Sequence, residues 1–100
     1  MVKWTAHARK QLRQIHDYIA QDSPHYAKRV AQDLVRKRKT LDALPHIGRM
    51  VAELNVETVR EVSLYSYRMI YQLQSMHIDI LAVIHKRRDL KASDIAQESR

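Results

Sequence analysis

At 100 residues and 45% hydrophobic content the chain can build one core and is too short for two. It has no Cys, which excludes disulfide and thiolate chemistry and leaves any zinc site to His and carboxylates. Its 18 Lys and Arg against 11 Asp and Glu give a formal charge of +7, a balance that draws acidic partners, either nucleic acid or an acidic protein segment.

Val2 and Trp4, with Lys3 between them, suit a brief edge strand. From Thr5 the period turns helical. Ala8, Leu12, Ile15 and Ile19 fall on one stripe, Arg9, Lys10, Arg13 and Asp17 lie away from it, and Thr5 stands where an N-cap belongs. Ser23-Pro24 stops this helix and starts another, with Ser23 as N-cap and Pro24 at the first helical position, where a missing N–H does no harm. Ala27, Val30, Ala31, Leu34, Leu41 and Leu44 give the second helix its apolar side, and Pro45 ends it. So short a joint between two amphipathic helices predicts an antiparallel helical hairpin. Arg36-Lys37-Arg38-Lys39 wraps round the exposed part of the second helix, and Arg38, between Leu34 and Leu41, is expected to lay its stem on apolar surface.

Residues 45–57 hold no sustained period, and Gly48 is expected to mark a turn. Thr58–Leu64, Tyr67–Gln74 and His77–Lys86 then read as three consecutive strands. Tyr65-Ser66 and Ser75-Met76 are the expected turns, although neither carries the Gly that favours a two-residue hairpin. Ile78, Ile80, Leu81, Ala82, Val83 and Ile84 make the last strand apolar on both faces, as a central strand requires. The expected fold is α+β, a single domain over residues 1–100. A short N-terminal strand precedes a helical hairpin packed on one face of an antiparallel sheet, in the order β-α-α-β-β-β. No apolar run reaches the ~20 residues that span a bilayer, and Met1–Thr5 has no signal-peptide core, so a soluble, unprocessed, cytoplasmic protein is expected.

The densest polar cluster is His85-Lys86-Arg87-Arg88-Asp89. The period of two puts His85 and Arg87 on one strand face, with Arg68 and Arg60 on the strands before. A His with converging Arg side chains can hold a phosphodiester and move a proton, so a ribonuclease site of Arg68, His85 and Arg87 is one reading. The other is a charged strand end in solvent. Arg60 and Glu61 are adjacent, point to opposite faces and must bond to different neighbours, with a structural salt bridge expected for at least one. The six His include no helical i, i+4 pair, His7 and His16 being nine apart, so no metal is expected. Tyr65, Tyr67 and Tyr71 read first as core packing and only second as a platform for bases.

Several pieces recur in a telling order. Trp4 comes with Ala6 and Leu12, Ile15 with Tyr18-Ile19-Ala20, then Ser23-Pro24, then Leu44-Pro45 leading to Gly48-Arg49. Arg60-Glu61-Val62 precedes Tyr67-Arg68-Met69-Ile70-Tyr71, and Val83-Ile84-His85-Lys86-Arg87-Arg88-Asp89 closes the set. In this order, over almost the whole chain, they resemble the RelE/ParE superfamily of type II toxins. The resemblance implies the same helical hairpin on an antiparallel sheet.

It also implies two activities. RelE-like members cleave messenger RNA in the ribosome with basic residues and often a C-terminal Tyr; ParE-like members inhibit DNA gyrase and lack much of that set. Arg68 matches the Arg of the Tyr-Arg strand motif, and Arg87 falls roughly where the second Arg lies. The nuclease Lys positions correspond approximately to Val59 and Glu61, and nothing after Tyr71 is aromatic. A carboxylate in place of a phosphate-binding Lys favours gyrase poisoning over RNA cleavage. The resemblance therefore implies a non-enzymatic toxin without cofactor, neutralised by a ParD-like antitoxin whose acidic segment folds onto the hairpin and adjacent sheet. Arg13, Arg36 and Arg49 are the expected antitoxin contacts, and His85, Lys86, Arg87 and Arg88 the expected target contacts. The alternatives are a ribosome-dependent endoribonuclease and a solitary module that only binds an antitoxin or operator DNA.

Overall fold

The two helices begin where side-chain oxygens capture free backbone N–H groups. In the computed structural model, which describes residues 1–95, Thr5 Oγ1 accepts from Ala8 N at 3.1 Å and caps helix α1, Ala6–Ala20. Ser23 Oγ accepts from Tyr26 N at 3.2 Å and caps α2, Pro24–Ala43, with Pro24 in its first turn. Leu44, expected on the apolar side, is instead the C-cap and is exposed. Arg38 also departs from expectation: it stands exposed, and Lys37 is the half-buried member of the cationic run.

Strand β1 is Val2–Trp4, β2 Arg49–Met50, β3 Val59–Leu64, β4 Tyr67–Leu73 and β5 Ile78–His85. They form a sheet in the order β1-β5-β4-β3-β2. The three expected strands are therefore present within a residue or so at each end, and β1 is the edge strand. The pairings of β2 with β3, β3 with β4 and β4 with β5 are antiparallel, but β1 runs parallel to β5, with Val2 opposite Ile78. The sheet is thus antiparallel, as expected, except where β1 joins it. The helical hairpin and three further strands separate β1 from β5, enough chain for the crossover that a parallel pair needs.

Strand β5 carries one extra residue. Ile70 pairs with Ala82 and Tyr71 with Ile80, so Leu81 bulges and joins Ala82 on one face. The apolar run of this strand consequently feeds two apolar clusters, one on each sheet face, where the length of the chain predicted a single core. On the helical face Ala8, Val30, Leu34 and Leu41 pack against Met69, Tyr71, Ile80 and Val83. On the other face Val51, Val59, Ile70, Leu81, Ala82 and Ile84 form a second cluster, covered by Leu54 from the 51–57 loop and by Leu90 and Ile95 from the C-terminal segment. That segment includes a short helical turn, α3, Ala92–Ile95.

Gly48 is needed for closeness, its φ being negative. A Cβ there would lie 2.6 Å from both the Glu61 carbonyl oxygen and the Tyr71 hydroxyl. Gly48 N donates to that hydroxyl at 2.9 Å, and the hydroxyl donates to Pro45 O at 2.8 Å. Leu44-Pro45 and Gly48-Arg49 are thus held in sequence by one buried tyrosine of β4.

Candidate functional site

On the sheet face away from the helices, Arg68 is buried among carboxylates. Its Nε donates to Glu61 Oε1 at 2.7 Å, and its two terminal nitrogens grip Glu53 at 2.9 and 2.8 Å. Arg49 on β2 donates to the second oxygen of Glu61 at 2.9 Å. Period two brings Glu61 and Arg68 to the same face of neighbouring strands. Glu53 arrives from the loop and also accepts the Leu90 N–H at 3.0 Å. The hydrogen bonds from Arg68, then the one from Leu90, pull the Glu53 carboxyl down to about 2. Glu53 in turn raises the Arg68 guanidinium above its ordinary range, against the opposing effect of burial and with further help from Glu61.

A guanidinium shared by two carboxylates has no charge left for a phosphate, and the carboxylates would repel one. The Arg68, His85, Arg87 trio is not assembled. His85 is opposite Tyr67 and rests edge-on against its ring at 5.8 Å, on the helical side of the sheet, whereas Arg68 faces the other way. Strand β5 ends at His85, so Arg87 does not share its strand face. Lys86 and Arg87 form a turn in which Arg87 N donates to His85 Nδ1 at 3.1 Å, leaving Nε2 to carry the proton of the neutral ring.

The expected target contacts divide. His85, Lys86 and Arg87 are exposed. Arg88 is half-buried and donates to both oxygens of Asp94, at 3.0 and 2.9 Å. Asp94, itself buried, also bonds His7 Nε2 and Gln11 Nε2, each at 3.0 Å. Burial would raise the Asp94 carboxyl, but the His7 hydrogen bond, the Lys91 N–H and the Arg88 charge together lower it. Sequence reasoning missed both Asp94 and Gln11. The signal for Gln11 was present: a polar residue one position from Leu12 on the inward stripe. Strand β1 stops opposite Ile80, and further along β5 the Val83 N–H is taken by Gln11 Oε1 at 2.8 Å.

The expected antitoxin contacts also divide. Arg13 lines a groove of about 450 Å³ with Leu12 and His16, and Arg36 one of about 390 Å³ with Val35 and Arg38; Ala31 borders both. Arg49 lies apart on β2, where it lines a cleft of about 370 Å³ with Lys86 and the Arg68 ion group. Arg60 and Glu61 face opposite ways and keep separate partners, Arg60 donating to Gly48 O at 2.9 Å while Glu61 takes the salt bridges. Among the described residues no group of His, Cys, Asp and Glu is placed to hold a metal ion, and no helix is long and apolar enough to cross a membrane.

A helical hairpin on a five-stranded sheet is the fold that the sequence resemblance implied, that of a type II toxin. The family described as "ParE toxin of type II toxin-antitoxin system, parDE" matches residues 2–90, and the chain belongs to it. It is a type II toxin–antitoxin toxin of the ParE family. The solved chromosomal ParDE system from P. aeruginosa is similar, with 26% identity, a TM-score of 0.70, and coverage of 84% of this chain and 92% of that one. A chain of the RelBE2 toxin–antitoxin complex from Mycobacterium tuberculosis shares the fold at 20% identity and a TM-score of 0.63, covering 85% of this chain and 95% of that one. No curated protein matches at a significant level.

Proposed function

We propose that this toxin acts without catalysis, in the cytoplasm, by binding DNA gyrase and holding it with DNA broken. The observation that carries this reading is the carboxylate pair on Arg68, which removes the phosphate-binding arginine that RNA cleavage would need. The exposed turn of His85, Lys86 and Arg87, with Arg88 behind it, is the contact with the target.

A ParD-like antitoxin silences the toxin by laying a folding, acidic segment along the paired helical grooves beside Arg13 and Arg36. Arg49 joins that contact only if the segment continues to the far sheet edge. The similarity to a ParDE system supports an antitoxin partner, and the +7 charge supports an acidic one.

Purified toxin with gyrase and supercoiled plasmid is the test, and accumulation of cleaved plasmid is the expected result. Codon-specific cuts in ribosome-bound messenger RNA, with gyrase untouched, would replace this reading by the endoribonuclease one.

A further inference from the structure

Four of the five tyrosines gather at one end of the molecule. Tyr18 sits in the last turn of α1, Tyr26 in the first turn of α2, Tyr65 in the β3–β4 turn and Tyr67 at the start of β4. The Tyr26 and Tyr65 rings meet edge to face at 6.2 Å, and Tyr67 meets His85 the same way at 5.8 Å. Tyr18 stands in the last turn of α1, beside the short joint at Gln21–Ser23 that leads into the first turn of α2 and Tyr26.

Core packing accounts for Tyr67, which lies against the helical-face core, but not for the rest of this cluster. Tyr18 is 73% exposed and Tyr26 45% exposed, so neither is there to fill a core. Tyr65 takes a left-handed backbone, φ 57°, at a turn position where Gly would be unstrained. Its hydroxyl is held by Asp33 of α2. Partly exposed tyrosines are among the side chains that anchor protein interfaces, because they bring large area at small entropy cost.

The surroundings decide the partner. Lys86 N donates to Ser66 O at 2.8 Å, which fastens the exposed His85–Arg87 turn against the same hairpin. Arg29 is exposed on α2, three positions after Tyr26 and four before Asp33, and so shares their helix face. The centre is therefore aromatic, and the rim carries Arg29, Lys86 and Arg87 beside an Asp33 that Arg36 pairs at 3.0 Å, a cationic balance that suits an acidic protein surface. The edge-to-face pairing of Tyr26 with Tyr65 and of Tyr67 with His85 leaves few free ring faces for bases. None of the four tyrosines lines either helical groove.

We propose that Tyr18, Tyr26 and Tyr65, continuous with the Lys86–Arg87 turn, form an anchoring surface for an acidic face of the toxin's protein target, separate from the antitoxin grooves. This rests on the reading of the chain as a toxin that binds its target instead of cutting RNA.

The test uses the full chain with Tyr18→Ala, Tyr26→Ala and both together. Gyrase-dependent plasmid cleavage is titrated, antitoxin affinity is measured in parallel, and thermal melts report folding. The expected result is a loss of at least tenfold in toxin potency for the double variant, with antitoxin affinity within twofold of wild type. Tyr18→Ala, at a mostly solvated site, keeps the test valid should the double variant melt early, and is expected to lose several-fold alone. Unchanged potency overturns the proposal, as does a parallel loss of antitoxin affinity, or tyrosine-dependent binding of a single-stranded oligonucleotide. Should wild type leave gyrase untouched, the gyrase reading fails by itself. Growth arrest without antitoxin then judges the surface, relief by the double variant supporting it and full arrest overturning it.

Discussion

Arg68 shows how a side chain that looks catalytic in a sequence can be held by two carboxylates in the fold. Its identity matches a nuclease motif, but its partners Glu61 and Glu53 are 7 and 15 residues distant along the chain and meet it only through strand register and a loop. Glu61 was legible as a departure from the nuclease pattern; Glu53, in an aperiodic stretch, was not. The depressed Glu53 carboxyl makes a testable stability contribution. A group lowered from 4.5 to about 2 releases its proton more readily when folded. Its stabilisation is therefore complete above pH 4.5 and disappears as pH falls through that window toward 2. The side chain is partly exposed, so solvent screening limits the effect to about 1 kcal/mol. Urea unfolding at pH 7 and pH 3 should show wild type losing more stability on acidification than Glu53→Gln, and equal losses would contradict the assignment. Gly48→Ala belongs to the same scale. One contact of its new Cβ would be backbone, which cannot swing aside, so unfolding should show a loss of ~1–3 kcal/mol from overpacking.

At the scale of elements, the helices were readable because their stop and start signals are local. Thr5, Ser23-Pro24 and Pro45 act through bonds spanning three or four residues, which a sequence displays directly. The direction of β1 was not readable, since Val2–Trp4 is too short to encode it and its partners on β5 lie 76 residues away in chain order, Val2 opposite Ile78. Nor was the cover on the second sheet face, because Leu54, Leu90 and Ile95 come from segments without a period. The two helix caps differ in a way that measurement can separate. Ser23 Oγ serves its helix alone, whereas Thr5 Oγ1 also donates to Ile80 O at 2.9 Å, tying α1 to the sheet. Ser23→Ala should cost ~0.5–1 kcal/mol and Thr5→Ala ~1–2 kcal/mol in chemical denaturation. Equal costs would mean that the link to β5 contributes nothing.

For the whole molecule, the sheet divides two cores that are covered unequally. Two long capped helices shield one face; a loop and a C-terminal segment shield the other, fastened by Glu53 through Leu90 N and by Asp94 through Arg88, His7 and Gln11. Such a division predicts local opening on the second face at lower free energy than global unfolding. Asp94→Ala removes the shared acceptor and leaves Arg88 and Gln11 without it, so residues 88–95 should detach while the helical core stays closed. Amide hydrogen exchange measures this directly. Exchange in the C-terminal segment and around Val51–Leu54 should quicken at least tenfold, with α1 and α2 little changed. Uniform quickening across all elements would show instead that the two cores rise and fall together, and that Asp94 is a keystone for the entire fold. Because the His85–Arg87 turn leads into this segment, the same variant separates two roles of the chain end: potency retained despite a loosened segment places target binding in the turn itself, whereas potency lost with it makes the docked tail part of what holds the turn in place.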